Sequence, residues 1–328
     1  MPKRKLPKFF LVILACWLTV GLLPTLASAQ SITLRVGHFP NITHVQALVA
    51  HHLSRQGKGW FEARLGPDVK LEWFVYNAGP SAMEAIFANS IDLTYVGPSP
   101  AINAYAKARG ADIRIVSGAA NGGAALVIQP DLAVTTAADF RGRKIATPQL
   151  GNTQDVSARA WLSTGGLKIT QTGGDAQVLP TANPDQLSLF KQKQLDAVWT
   201  VEPWVSRLET EAQGKVLVEE TDAVTTVLVS GVKFLEARRE LVAKFVAAHR
   251  ELTEWIAAHP GEAQAMVRAE IGAEMRAPIA PELVERAWKR IVLTNDVTRA
   301  QLDKFVASAQ AVGFLRGAPD LARLIEIR

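Results

Sequence analysis

The chain has 328 residues, a formal net charge of +5 and 48% hydrophobic residues. That length and apolar content are enough for a large buried core, which we expect to be divided between two lobes. Much of the positive charge lies in the first residues, and without them the net charge falls to about +1. The composition therefore does not favour nucleic acid or an anionic membrane as a partner, and no nucleic-acid binding is predicted.

The N-terminus has the three parts of a secretory signal peptide. Basic residues within 3–8 precede an apolar run at 9–23, and Ala27-Ser28-Ala29 forms a small-x-small cleavage motif. The alternative is a membrane anchor, but a run of about 15 residues is shorter than the roughly 20 that span a bilayer. The pattern predicts cleavage after Ala29 and a periplasmic location.

The only cysteine, Cys16, lies inside this apolar run. Residues 13–16 loosely resemble a lipoprotein cleavage box, but few apolar residues precede the box and Leu14 is bulky for its position. The Ala-x-Ala site is the preferred interpretation. The chain after cleavage would then have no disulfide, no thiol nucleophile and no thiolate metal site.

Strand-like and helix-like stretches alternate from residue 32 onward, which favours an α/β fold with parallel sheets and helices on both faces. Strands are predicted at 32–36, 69–75, 91–96, 113–117, 124–129, 143–147, 176–179, 197–200, 216–218 and 225–229. Amphipathic helices follow at 241–258, 262–271, 281–291 and 299–311.

The pattern consists of two successive βαβα halves and a helical tail. It predicts two doubly wound α/β lobes, with lobe 1 at 30–122 plus 226–328 and lobe 2 at 123–225. Two extended crossings, near 118–125 and near 225–231, would join the lobes as a hinge. In open α/β sheets, ligands bind outside the carboxyl ends of the strands.

Several loops at that end place small or capping residues immediately before a helix. Ser81 with Glu84 and Asn183 with Gln186 resemble capping boxes, and Asn152 or Thr153 can cap the following helix. Ordinary capping explains each loop alone. Several helix starts in one cleft would nevertheless form an anion site without lysine or arginine, because each start has unpaired N–H groups and partial positive charge.

Aromatic residues and one carboxylate accompany these loops. Phe39, Tyr95, Trp199 and Trp204 are candidates for pocket walls or for ordinary packing. Glu202 is a candidate for binding a ligand amine, for hydrogen bonding to a pocket donor, or for a structural salt bridge.

Enzyme and metal motifs are weak. The segment 97–101 lacks the second glycine of a nucleophile elbow, and there is no Walker loop and no His-Glu-x-x-His motif. His44, His51 and His52 can share part of a helix face, but no nearby acidic or cysteine residue completes a metal set. The sequence therefore predicts no metal site, no cofactor and no catalytic residue.

Four segments together resemble the periplasmic solute-binding proteins of the nitrate/sulfonate/taurine ABC-importer family, most closely its aliphatic-sulfonate-binding branch. They are GHFPNITH (37–44), VGPSPA (96–101), ATPQLG (146–151) and WTVEPW (199–204). The resemblance implies a type II periplasmic binding protein, a venus-flytrap clamp with the ligand in the interlobe cleft. It also implies a monomer that serves a membrane permease and ATPase in sulfur metabolism.

By position, the resemblance places the ligand pocket on a defined set of loops. The implied ligand-binding residues are Phe39, Pro40, Asn41, Gly79, Ser81, Gly97, Ser99, Asn121, Gly122, Gly151, Asn152, Thr153, Asn183, Trp199 and Glu202. The nitrate branch uses a lysine at its anion, and these loops contain no obvious lysine. The preferred ligand is a small organic anion, an aliphatic sulfonate or taurine.

Other interpretations remain at this level. The chain could bind nitrate or a thiamine-precursor pyrimidine, or it could report a ligand to a membrane kinase. The thiamine-pyrimidine synthases resemble the same family, but they carry a cysteine-rich motif that is absent here.

Overall fold

The computed structural model describes residues 31–326, and the predicted signal peptide at 1–29 lies outside them. From Ile32 onward the described chain forms one compact unit that contains two large β-sheets and one small two-stranded sheet. Among residues 31–326, no helix combines the length and the apolar character that crossing a bilayer requires.

The strands predicted from alternating hydrophobicity all form, with ends that differ by a few residues. In chain order the strands are β1 (Ile32–His38), β2 (Val69–Val75), β3 (Leu93–Val96), β4 (Ile113–Gly122), β5 (Ala124–Ile128), β6 (Lys144–Thr147), β7 (Ile169–Thr170), β8 (Gly173–Gly174), β9 (Gln177–Pro180), β10 (Ala197–Val201), β11 (Lys215–Glu220), β12 (Val224–Gly231) and β13 (Ile291–Leu293).

Helices separate most of these strands and make up most of the C-terminal part. They are α1 (Val45–Arg55), α2 (Trp60–Leu65), α3 (Gly79–Phe87), α4 (Pro98–Lys107), α5 (Thr153–Thr164), α6 (Asn183–Lys191), α7 (Trp204–Ala212), α8 (Val232–Ala237), α9 (Arg239–Ala258), α10 (Pro260–Met275), α11 (Pro281–Trp288) and α12 (Arg299–Ala311). Single 3-10 turns form at Ile42–His44 and Ala137–Phe140.

The two large sheets have the same core topology, and β7 pairs with β8 in a separate two-stranded sheet. The first has the order β13-β4-β12-β3-β1-β2 and defines lobe 1; the second has the order β11-β5-β10-β6-β9 and defines lobe 2. In lobe 1, β1 is parallel to β2 and β3, while β12 runs antiparallel beside β3. In lobe 2, β6 is parallel to β9 and β10, while β5 runs antiparallel beside β10. The predicted duplication is therefore present in the strand pairing.

Each sheet is buried on both faces, as the nearly continuous apolar runs of its central strands require. In lobe 1, one core lies under α1, α2, α9 and α10, and the other lies under α3, α4 and α12. In lobe 2, one core lies under α5 and the other under α6 and α7. This is the doubly wound arrangement predicted for both lobes.

Two crossings join the sheets. The first lies between β4 and β5, where Gly122 and Gly123 have φ of +73° and +75°, a conformation that glycine adopts without a Cβ penalty. The second lies at 221–223, between β11 and β12. The range predicted for this crossing, 225–231, is instead occupied by β12, which pairs with β3 and β4.

Candidate functional site

A narrow cavity lies between the two lobes, at the carboxyl ends of β1, β3, β6 and β10. Its volume is about 350 Å³, including its open mouth. The lining residues are Phe39, Asn41, Thr43, His44, Asn77, Ala78, Gly79, Gly97, Pro100, Pro148, Asn152, Thr153, Gln154, Val201 and Thr225.

Four helical segments begin at this cavity. The residues that immediately precede them, Asn41, Ala78, Gly97 and Asn152, all line it. At the first three of these starts no side chain caps the backbone. At α4 few donors remain, because Pro98 and Pro100 have no N–H and the Ser99 N–H donates to Thr153 Oγ1. The Ile42 N–H likewise donates to the Glu202 carbonyl. The first N–H groups of α3 and α5 have no partner within their helices, so these two starts direct positive partial charge into the cavity.

The lining is polar without formal charge. Among the residues that the structure describes, no lysine, arginine, aspartate or glutamate lines it. Its one titratable side chain is His44, whose pKa is held well below its usual value because complete burial disfavours the imidazolium form. At neutral pH the cavity therefore offers amide, hydroxyl and helix-start dipoles to a ligand.

The start of α5 is held rigidly beside the cavity. Asn152 Oδ1 accepts from the Asp155 N–H at 2.9 Å, so Asn152 is the cap and Thr153, the other candidate, is the first residue of the helix. Asp155 in turn accepts from Thr147 Oγ1 at 2.9 Å and from the Gly151 N–H at 2.9 Å. The Arg159 guanidinium, 3.0 Å away, balances this buried carboxylate.

Side chains from one lobe contact the other lobe around the cavity. Asn77 Nδ2 donates to the Pro148 carbonyl at 3.1 Å, and Gln149 Nε2 donates to Ser81 Oγ at 2.9 Å. Trp204 Nε1 donates to Asn41 Oδ1 at 3.2 Å. These bonds exist only while the lobes are together, so they belong to a closed arrangement of the cleft.

The cavity contains part of the set of ligand-binding residues predicted from the sequence. Phe39, Asn41, Gly79, Gly97, Asn152 and Thr153 line it. Ser81 lies at the rim through its bond to Gln149, and the Ser99 N–H donates to Thr153 Oγ1 at 3.4 Å. Ligand contact by all of these residues stays a prediction.

The other predicted residues lie away from the lining. Pro40 is half-buried beside Phe39, Asn121 and Gly122 pair with β13, and Gly151 faces the Phe314 ring. Asn183 Oδ1 accepts from Thr200 Oγ1 at 3.1 Å.

Glu202 forms the structural salt bridge that was one of its three interpretations. Arg290 Nη1 donates to Glu202 Oε1 at 3.0 Å, and the Ser206 hydroxyl donates to the same oxygen at 2.9 Å. Burial raises the pKa of Glu202, while the Ser206 N–H and Arg290 oppose the rise. Because Arg290 also bonds Glu209, it links lobe 1 to α7 of lobe 2.

Most of the aromatic candidates pack outside the cavity. Only Phe39 is part of the lining. Tyr95 Oη bonds His249 Nδ1 at 3.0 Å inside lobe 1, and the Trp199 ring packs edge-on against Trp161 inside lobe 2.

The two predicted capping boxes are wrong. Helix α3 begins at Gly79, so Ser81 is already inside it, and Ala78 occupies the cap position. Helix α6 begins at Asn183 after Ala182, and Gln186 Nε2 donates to the Thr181 carbonyl instead. In both helices a proline in the first turn allows an earlier start than the cap motif indicated.

Sequence reasoning missed other lining residues. Thr43, His44, Asn77, Ala78, Pro100, Pro148, Gln154, Val201 and Thr225 also line the cavity. Pro148 and Pro100 lie in the segments ATPQLG and VGPSPA, so the family resemblance already pointed to their loops. Thr225 was assigned to the second crossing and not to the pocket; it lies in β12, directly after the crossing at 221–223.

Within the described residues, one group of histidine and carboxylate side chains could hold a metal ion. His38, His51 and Glu274 lie in lobe 1, and their ligand atoms are all within 4.8 Å of one another. The sequence near His51 has no acidic residue, and the carboxylate of this group, Glu274, comes from α10.

The comparisons with known proteins agree with this fold. The chain is 29% identical over 212 residues to an Escherichia coli (strain K12) protein named as an aliphatic sulfonates-binding protein; the match covers 64% of this chain and 61% of that protein's length. The chain thus spans about three fifths of this relative.

Two solved structures are similar across most of their length. The alkanesulfonate-binding protein SsuA from Xanthomonas axonopodis pv. citri, bound to MOPS, has a TM-score of 0.73 at 22% identity, covering 91% of this chain and 99% of that one. The periplasmic nitrate-binding protein NrtA from Synechocystis PCC 6803 has a TM-score of 0.70 at 14% identity, covering 89% of this chain and 84% of that one. These likenesses confirm the predicted periplasmic-binding-protein fold.

The resemblance predicted from the four cleft segments also agrees with a family model. That model describes the NMT1-like family and matches residues 27–271, which is most of the chain. The chain belongs to the NMT1-like family.

Proposed function

We propose that this chain is the extracytoplasmic solute-binding component of an ABC importer and that it binds a small organic anion, an aliphatic sulfonate or taurine. The observation that carries the proposal is that the starts of α3 and α5, one from each lobe, meet at a cavity whose described lining residues carry no formal charge. Such a cavity solvates a compact oxyanion with backbone and side-chain dipoles. The names of similar proteins support the same class of ligand.

The lining also favours an organic anion over an inorganic one. Phe39, Pro100, Pro148 and Val201 give the cavity apolar wall beside its polar helix starts. An aliphatic tail would bury against this wall, whereas nitrate has no tail to bury. A lysine, which the nitrate branch is expected to use, is absent from the lining.

The protein would hold its ligand without changing it. The lining has no carboxylate, cysteine, serine or lysine side chain, and His44 is its one titratable group. A ligand that touches both lobes binds the closed arrangement better than an open one, and this difference in affinity drives closure about the two crossings. The closed protein would then dock on a membrane permease.

Calorimetry and thermal unfolding of the purified protein test the proposal. Ethanesulfonate or taurine at about 100 times its dissociation constant should add about 2.7 kcal/mol to the free energy of unfolding. Along a series from methanesulfonate to butanesulfonate, affinity should rise by up to about fourfold per methylene, because each buried CH₂ contributes about 0.8 kcal/mol.

The controls are nitrate and an aminopyrimidine. Stabilisation by either of them, with no response to any sulfonate, would contradict the organic-anion assignment. Uptake of a labelled sulfonate that depends on this protein would support transport. Ligand binding without such uptake would favour sensing through a membrane kinase.

A further inference from the structure

A compact cluster of imidazole and carboxylate groups is buried in lobe 1, outside the cavity. His38 is the last residue of β1, His51 lies on α1 and Glu274 lies on α10. Their side chains are 0%, 10% and 3% exposed. The neighbouring elements β1 and α1 and the distant helix α10, 223 positions from His51 at Glu274, thus direct polar groups to one interior point.

The ligand atoms form a nearly equilateral triangle. His38 Nε2 lies 3.0 Å from His51 Nδ1 and 3.1 Å from Glu274 Oε1, and His51 Nδ1 lies 3.2 Å from Glu274 Oε1. In a tetrahedral zinc site with bonds of about 2.0–2.1 Å, neighbouring ligand atoms are about 3.3 Å apart. The triangle is therefore one face of such a tetrahedron, slightly contracted.

In one tautomer of His38, the cluster has fewer imidazole protons than the close contacts between its nitrogen and oxygen atoms need as hydrogen bonds. His38 Nδ1 lies 3.3 Å from the Phe39 carbonyl, and in the tautomer that donates to this carbonyl Nε2 directs a lone pair inward. That lone pair faces Glu274 Oε1, another acceptor, at 3.1 Å. A single proton on His51 Nδ1 would have to serve His38, Glu274 and Glu270 at once.

The surroundings are those of an organised metal site. A histidine ligand typically donates its other ring N–H to a carbonyl, and the Phe39 carbonyl lies 3.3 Å from His38 Nδ1. Glu270 Oε1 lies 3.0 Å from His51 Nδ1 and accepts from Arg55 Nε at 2.8 Å. The second oxygens of both Glu270 and Glu274 are buried without a hydrogen-bond partner.

The geometry points to a binding site for one zinc-type divalent cation, held by His38 Nε2, His51 Nδ1 and a Glu274 carboxylate oxygen. Two imidazoles and one carboxylate suit Zn²⁺ and its neighbours in the first transition row, whereas Mg²⁺ and Ca²⁺ require an all-oxygen shell. The fourth position would belong to water or to Glu270. The ion would tie β1, α1 and α10 together, independently of the ligand in the cleft.

Titration of the chelator-treated protein with ZnCl₂, followed by calorimetry, is the first test. We expect one Zn²⁺ per chain and a rise in the unfolding temperature with zinc but not with MgCl₂ or CaCl₂. Co²⁺ should give the intense visible absorption of a four- or five-coordinate site. Failure of the wild-type protein to bind zinc would overturn the proposal without bearing on the sulfonate experiment.

Substitutions then locate the site. His51→Gln and Glu274→Gln should each weaken zinc binding by about 100-fold or more, since even outer-shell changes cost 10–100-fold. The matched controls, His259→Gln and Glu254→Gln, remove exposed groups of the same types and should bind as the wild type does. Circular dichroism checks that each variant is folded. Zinc affinity that survives both cluster substitutions would place the ion elsewhere and contradict the assignment.

Discussion

The two lobes share a strand order but hold their first cleft loop in different ways. In lobe 2, the loop after β6 is fixed by the buried carboxylate of Asp155, which Arg159 neutralises. In lobe 1, the loop after β1 is fixed by the Phe39 ring, whose centroid lies 4.4 Å from that of His44. Lobe 2 thus fixes this loop with an ion pair, whereas lobe 1 fixes the corresponding loop with ring packing.

The difference extends to the titratable groups of the cores. All six histidines of the chain lie outside the segment 124–220 that forms the lobe 2 sheet and its helices. His44 and His249 are completely buried in lobe 1. The lobes should therefore respond differently to mutation and to acid, although they are built from the same strand order.

The largest expected effect is the removal of the lobe 2 ion pair. Asp155→Ala leaves Arg159 charged, buried and unpaired, which should lower the free energy of unfolding by about 3–5 kcal/mol. Denaturant unfolding measures this loss. The matched control is Asp303→Ala, which breaks the exposed pair with Arg299 and should cost at most about 1 kcal/mol. Equal losses in the two variants would show that the buried pair does not anchor the loop.

Acid should act first on lobe 1, through His249. Burial lowers the pKa of His249 from 6.5 to about 4, so the fold holds it neutral while the unfolded chain takes up a proton. Stability is therefore retained above pH 6.5 and lost as pH falls towards 4, by about 3 kcal/mol for this group. The raised pKa of His51 acts in the opposite direction, because it favours the fold at low pH.

Denaturant unfolding at pH 7 and pH 4 measures this effect. His249→Gln should be less stable than the wild type at pH 7 and should lose less on acidification, whereas His259→Gln should behave as the wild type. Hydrogen exchange should show β4 and β12 opening before the strands of lobe 2. The same acid loss in His249→Gln and in the wild type would rule out this residue as the cause.

A smaller effect is expected where the lobes touch. A Cβ at Gly97 would lie 2.3 Å from Thr153 Oγ1 of the other lobe, while the φ of Gly97, −69°, suits alanine. Gly97→Ala should therefore oppose closure without unfolding lobe 1. An overpacking cost of about 1–3 kcal/mol in the closed state would weaken ligand binding by about 5–150-fold.

Relief of the contact provides the check on this interpretation. Adding Thr153→Ala to Gly97→Ala removes the clashing hydroxyl and should restore part of the lost affinity. Calorimetry of the single and double variants with the same sulfonate measures the coupling. Strictly additive losses would mean that the two residues do not meet in the bound protein.

The smallest effect concerns the rim of the cleft. Ser81→Ala removes the bond between Ser81 Oγ and Gln149 Nε2 but leaves the start of α3 intact, because Ser81 does not cap that helix. We expect a loss of about 0.5–1.5 kcal/mol in binding and almost none in unfolding. A loss of stability as large as that in binding would indicate a role in holding the helix.

The sequence by itself determined the order of the elements and much of the cleft. Alternating and helical periodicities placed the strands of both sheets, because each element must bury its own apolar face. The small residues of the loops after β1, β3 and β6 indicated helix starts that could approach a ligand closely. Phe39 and Asn152 were indicated by such local signals and Gly97 by the family resemblance, and all three line the cavity.

Only the tertiary structure decided which distant groups meet. His51 and Glu274 are 223 positions apart in the chain, and no local pattern links them. Thr225 reaches the cavity and Glu202 reaches Arg290 only because the chain crosses twice between the sheets. Periodicity encodes which face of an element is buried, whereas contacts between elements depend on long-range packing and on helix starts that shift by one or two residues.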